Sequence, residues 1–168
     1  SYNIGYNSTD GYSYDDTYET FPIMGVTWYG AIKYCNWLGS MQGLDASEYA
    51  FSEGTSPSDW HPAHLSTAEW DDGFSDLERL TWLMLYPHAP RLPMDDNAAT
   101  SGAYNEYHAA AAPQGETYAS PDGGNYWNSM DFFDNAPTPS YYYSPNEYGI
   151  FDLSGNCWEW QVDTDTAG

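Results

Sequence analysis

A chain of 168 residues with 25 acidic and 3 basic side chains carries a formal charge of −22 and an isoelectric point near 4.1. Lys33, Arg79 and Arg91 are scattered along it, so a nucleic-acid partner and attraction to an anionic bilayer are both excluded. The length suits one domain with a real core, aromatic residues at 18% supply much of the apolar area, and no apolar run reaches the length of a membrane span.

Residues 1–20, SYNIGYNSTDGYSYDDTYET, mix Tyr, Gly and Asp without helical period and read as a Tyr-rich extended segment ahead of a single domain over 21–168. Asn7-Ser8-Thr9 matches an N-glycosylation acceptor, a short pattern that alone supports little. Thr27 reads as the N-cap of a helix along which Trp28, Ala31, Ile32, Cys35, Leu38 and Met41 recur until Gly43. The aromatic residues Trp28, Tyr34 and Trp37 on this helix read as core rather than as a ligand face. Ser75 with Glu78 three positions on forms a capping box for a second helix, whose stripe is Leu77, Leu80, Leu83 and Met84 and whose stop is Pro87. A third helix is expected over 104–112, ended by Pro113. The remaining chain is rich in Gly, Pro, Asn and Asp, and loops of that length in a compact domain usually carry function or a ligand.

His61 and His64 could suggest a metal site. Pro62 opposes a helix there and no third ligand follows at a recognisable spacing, so they are read as structural. Asp15-Asp16, Asp71-Asp72 and Asp95-Asp96 read as solvated loop charges. Cys35 and Cys157 read as free, buried thiols. Residues 144–160, SPNEYGIFDLSGNCWEW, place Asp152 and Glu159 around a glycine turn at Gly155. Trp158, Trp160 and Val162 then alternate with Glu159, Gln161 and Asp163, as in a strand with one buried face. Hard oxygen donors on a tight loop suit calcium.

That segment resembles the signature of the sulfatase-modifying-factor family, best known from the formylglycine-generating enzyme, with its pattern like PNxYGLYDMxGNVWEW. Three further stretches resemble family elements in the same order: FPIMGVTWYGAIKYCNWLGSMQGL at 21–44, RLPM at 91–94 and AYNEYHAAAAPQGETY at 103–118. The resemblance implies an α+β, C-type-lectin-like fold of short helices on small twisted sheets with much irregular loop. It implies one calcium held by the side chains of Asp152 and Glu159 and the carbonyls of Gly155 and Cys157. A second is implied near Asn125 and Tyr126, with Asp131 or Asp134 as its later acidic ligand.

The chain departs from the family where the enzyme's chemistry resides. The reactive cysteine pair expected well downstream of the WEW segment has no counterpart here, and family segments are missing at both ends, so this sequence is expected to be a window of a longer polypeptide. With Ser1 in place of an initiator Met, a signal segment is expected to have been removed or left out. The insert between Leu44 and Arg91 resembles a subgroup found on exported bacterial surface proteins. The expectation is therefore a non-catalytic, calcium-stabilised extracellular or cell-surface module for structure, adhesion or ligand display, with copper not expected to bind this chain. The alternative is a formylglycine-generating or related metal-dependent oxidase whose cysteine segment lies outside it. Tyr141, Tyr142, Tyr143 or Trp127 could stack on carbohydrate, and the tyrosines could equally pack against another protein subunit. Both readings stay open.

Overall fold

The computed structural model describes residues 5–7, 9, 11–13, 19–94, 106, 110, 137–153, 156–157 and 159–162. It divides into two compact units. The first comprises residues 1–24 and 108–158, the second residues 25–107 and 159–168. In the first unit the opening segment forms an antiparallel hairpin of β1 (Gly5–Asn7) and β2 (Gly11–Ser13), with Tyr6 opposite Tyr12. This is the one sheet among the described residues, so the small twisted sheets expected of the fold are represented there by a two-stranded ribbon.

The second unit is built on α1 (Trp28–Met41), α2 (Thr67–Asp71) and α3 (Asp76–Leu85). Thr27 caps α1 as expected: its backbone is extended and its hydroxyl accepts the Gly30 N–H at 3.0 Å. At the other end Gly43 takes φ +86, which lets its N–H reach the Ser40 carbonyl while the Leu44 N–H reaches that of Gly39, both at 3.0 Å. That pair of bonds closes the helix and explains why glycine stands at this position. Trp28, Ile32, Cys35, Asn36 and Gly39 form the buried face. Trp28 is core as expected, but Tyr34 and Trp37 lie on the exposed side, stacked on each other at 5.4 Å.

Five buried or half-buried aromatic rings close a circuit in the core of this unit. Trp28 stacks on Trp70 at 5.9 Å, Trp70 meets Phe74 at 5.6 Å, Phe74 meets Trp82 at 6.0 Å, Trp82 meets Phe51 at 5.6 Å, and Phe51 returns to Trp28 at 6.2 Å. Most of these contacts are edge-on or tilted, as ring quadrupoles prefer. Ile32, Cys35, Leu65, Met94 and Val162 fill the space around them. α3 begins on the expected capping box of Ser75 and Glu78, but of its expected apolar stripe Leu83 packs half-buried against the core while the ends of the stripe face solvent. Leu77 and Met84 are 74% and 73% exposed, whereas Trp82 on the other side is fully buried. One large indole with a hydrogen-bond partner for its N–H outweighs several aliphatic side chains in deciding which face turns inward.

Between α1 and α2 the chain folds back without a regular strand. Ser52 N–H donates to the His61 carbonyl at 3.0 Å and Ala63 N–H to the Ala50 carbonyl at 2.8 Å, around a bridge between Phe51 and Pro62. Gly54 is required at the tip because a β-carbon there would lie 2.2 Å from Cβ of Asp59. His61 is buried with Nδ1 3.1 Å from the Pro62 carbonyl oxygen, in keeping with a structural role. The chain at 159–162 is held without strand pairing among its described residues, contrary to the alternation read from the sequence. Trp160 is exposed, Val162 is buried, and Val162 N–H donates to the Pro93 carbonyl at 2.9 Å. Of the third expected helix, Glu106 and Ala110 are helical and the rest lies outside the described residues.

Glu106 links two sequence elements. Its carboxylate receives both terminal nitrogens of Arg91 and the Met94 N–H, and Arg91 also lies over the Trp82 ring at 5.5 Å. Burial raises the Glu106 carboxyl, but the Arg91 hydrogen bond and charge together with the Met94 N–H outweigh it and leave the group below the ordinary glutamate range. A depressed folded-state value gives stability that is present above the unfolded value and lost as pH falls through the folded one. Glu106→Gln should therefore lower stability at neutral pH by about 1 kcal/mol, discounted because the carboxylate is partly exposed to solvent. It should also flatten the decline in urea stability between neutral and acid pH relative to the unsubstituted protein. Parallel pH profiles for the two proteins would remove this role from Glu106.

Candidate functional site

The segment 137–157 of the first unit concentrates unusual backbone. Tyr141, Asp152 and Asn156 have φ of +70, +58 and +65. Asparagine and aspartate tolerate this left-handed region through local side-chain bonds, whereas for tyrosine it must be imposed by its surroundings. Each of the three is tied to a defined partner. Asn156 uses its side-chain amide as a surrogate strand edge: Oδ1 accepts the Thr138 N–H at 2.8 Å and Nδ2 donates to the Thr138 carbonyl at 3.3 Å. Asp152 Oδ2 accepts the Tyr141 N–H at 3.1 Å, and the Tyr141 ring meets Phe151 edge-on at 4.7 Å.

The preceding loop is organised by Asn146. Its Oδ1 accepts the N–H groups of Tyr148 and Ile150, each at 3.0 Å, and its Nδ2 donates to the Ala110 carbonyl at 2.5 Å. The backbone repeats the closure, with Asn146 N–H donating to the Ile150 carbonyl and Gly149 N–H to the Asn146 carbonyl, both at 2.9 Å. One side chain thus satisfies two N–H groups of a loop with no regular structure and ties it to the Ala110 carbonyl, which offsets the cost of ordering it. Ser140 N–H also reaches the Thr20 carbonyl at 2.6 Å, joining the segment to the end of the Tyr-rich beginning.

Two buried oxygens in this segment, Asp152 Oδ1 and Thr138 Oγ1, have no hydrogen-bond partner among the described residues. A buried carboxylate oxygen without a donor is costly. Of the expected calcium ligands, Asp152 is half-buried with one oxygen in this state. Cys157 is half-buried in the same unit, and Glu159 is exposed in the second unit. Gly155, Asn125 and Tyr126, with Asp131 and Asp134, lie outside the described residues. Among the described residues no three His, Cys, Asp or Glu side chains gather as a ligand cluster. Sequence reading overlooked Asn146 and Asn156. Both stand in turn patterns, PNEYG and SGNC, where a side-chain amide that can bond nearby backbone is a recognisable signal.

Cys35, the thiol of α1, is free and sits in the core of the second unit, where burial pushes it up to about 11 against a smaller opposing effect from a backbone hydrogen bond. It is therefore a protonated packing group at neutral pH rather than a nucleophile or a soft-metal ligand.

Asn156→Ala should cost about 2 kcal/mol, because it removes two backbone-directed hydrogen bonds and leaves a β-carbon at positive φ. Asn156→Gly removes the same bonds but suits the backbone and should cost about half as much. Urea unfolding of both variants measures the difference. Equal losses would show that φ is not what selects asparagine there.

In comparisons with known proteins, no solved structure matches the chain. The chaperone protein LppX of Paenibacillus barcinonensis is 25% identical over 175 residues, covering 88% of this chain and 55% of the relative. The chain thus spans about half the length of the curated relative it matches. The family described as "Sulfatase-modifying factor enzyme 1-like domain" matches residues 5–167. With nearly its whole length covered, the chain belongs to the sulfatase-modifying-factor family, whose fold is C-type-lectin-like.

Proposed function

We propose that this chain is a non-catalytic, calcium-stabilised binding module of an exported or cell-surface protein, used for structure, adhesion or ligand display. The observation that carries this reading is the Asp152 carboxylate. One oxygen is spent on the Tyr141 N–H and the other is buried without a donor, a state that a hard cation would relieve. Asp152 would supply that side-chain oxygen, with Glu159 and the carbonyls of Gly155 and Cys157 completing the first site and Asn125 and Tyr126 contributing to a second. Bound there, calcium would pin irregular chain and neutralise part of the −22 charge.

Cys35 is not suited to thiol catalysis, since burial pushes it up to about 11 in the core of the second unit. The low isoelectric point supports an exported setting, and the name of the Paenibacillus relative supports a protein partner. The family description, which names a modifying enzyme, favours the second reading, an oxidase of the formylglycine-generating type completed by cysteines beyond this span.

Chelation should lower the thermal midpoint by roughly 5–10 °C relative to protein with free calcium about a hundredfold above its Kd. Asp152→Ala should abolish that difference, with bound metal read by elemental analysis. An unchanged midpoint in protein shown to be metal-free would refute the calcium site. Oxygen consumption by the full polypeptide with a thiol peptide substrate would replace the binding reading with the oxidase.

A further inference from the structure

The chain contains three Lys and Arg side chains, and each lies over an aromatic ring. Lys33 Nζ is 4.8 Å from the centre of the Trp60 ring, Arg79 is 5.6 Å from Phe74, and Arg91 is 5.5 Å from Trp82. All three belong to the second unit. Residues 1–24 and 108–158, which form the first unit, contain no Lys or Arg while holding most of the 17 tyrosines.

Within that unit the segment 137–153 presents tyrosine to solvent. Tyr141 is 70% exposed, Tyr148 58% and Tyr142 49%, and Glu147 is exposed beside Tyr148. The tyrosines are held at the backbone or at the ring. The Tyr141 N–H is bound by the Asp152 carboxylate and its ring stands edge-on to Phe151, the Tyr148 N–H is bound by the Asn146 side-chain oxygen, and the Tyr142 ring stands edge-on to Tyr143 at 5.1 Å. Ordered tyrosines offer large contact area at low entropic cost. Their ring faces attract cations, guanidinium above all, and the surrounding negative charge draws cations in and keeps anions away.

From this we infer that the tyrosine face carried by Tyr141, Tyr142 and Tyr148 docks an Arg- or Lys-rich segment of a partner protein. Charge complementarity selects that occupant. A second copy of this chain brings its own charge of −22, and a neutral sugar could stack on the rings but would draw nothing from the negative charge around them, which a basic segment uses. Guanidinium groups would lie on the rings as Arg91 lies on Trp82, with Glu147 pairing at the rim. The inference rests on the reading of the chain as a binding module and not on the calcium site.

The test is fluorescence polarisation with a labelled peptide alternating Arg and Gly, titrated at near-physiological salt, against the same peptide with Ser for Arg. The Arg peptide should bind and the Ser peptide should not. The Tyr142→Ala/Tyr148→Ala double variant leaves net charge unchanged and should weaken binding about five- to tenfold. Tyr34→Ala, on the exposed face of α1, should leave it unaltered. The Tyr142→Phe/Tyr148→Phe variant keeps both rings and should bind as the parent does, so it serves as the folded comparison if the alanine variant melts early.

Undiminished binding by the alanine variant, with its fold intact, would mean diffuse electrostatic attraction and overturn the docking face. Equal binding of the Ser peptide, or a homodimer by sedimentation that the alanine variant dissolves, would overturn it too. Tyrosine-dependent binding with a melting point indifferent to chelator would remove calcium alone. A calcium-dependent melting point with tyrosine-independent peptide binding would remove this docking face alone.

Discussion

Indole N–H groups perform in the second unit much of the work that strand ladders perform in other folds. Trp28 donates to the Gln161 carbonyl at 2.9 Å, Trp82 to Ala50 at 2.7 Å, Trp60 to Gly54 at 3.0 Å and Trp160 to Val26 at 2.7 Å. A tryptophan drawn inward by its apolar area must find an acceptor, and in irregular chain the acceptors are carbonyls that would otherwise lack partners. The Trp28 and Trp82 bonds anchor irregular chain to the aromatic circuit, and those of Trp60 and Trp160 tie irregular stretches to one another. The placement of the 50s loop and of residues 160–162 follows from these bonds.

The first unit solves the same problem with carboxamide and carboxylate groups. Asn146, Asp152 and Asn156 each satisfy backbone groups at a distance in sequence, and Asp152 and Asn156 do so from left-handed backbone. Asn156 pairs with both groups of Thr138, while Thr138 Oγ1 and Asp152 Oδ1 stay without partners. Unmet polar atoms beside imposed backbone geometry are where a fold departs from local optimality, and such departures concentrate where something else is bound.

Helix ends were legible in the sequence because their signals are local. Thr27 and Ser75 cap the helices they were expected to cap, and the same rule applied to Ser66 and Glu69 would have announced α2. What the sequence did not disclose was choice between faces. In α3 the spacing of Leu77, Leu80, Leu83 and Met84 is sound as a pattern, yet Trp82 faces the core because its ring completes the circuit with Phe51 and Phe74, residues distant in sequence or beyond the helix. The WEW alternation misled for a related reason, since Trp160 uses its N–H on Val26 and so need not bury its ring. Asn146 bonds Tyr148 and Ile150 close by, as a turn pattern announces, whereas its bond to Ala110 and the pairing of Asn156 with Thr138 are long-range contacts that spacing cannot express.

Charge completes the physical picture. A chain with 25 carboxylates and 3 cations pays a self-repulsion that compact folding increases. All three of its cations lie over aromatic rings, and Arg91 is also bidentate to the Glu106 carboxylate. The cations therefore serve the aromatic core of the second unit. The first unit has no Lys or Arg of its own, and solvent ions, a bound metal or a basic partner would each offset its negative charge. Because exposed charges are screened beyond about 10 Å at moderate salt, the offset must be local to matter, which directs attention to the Asp152 turn and the tyrosines it holds.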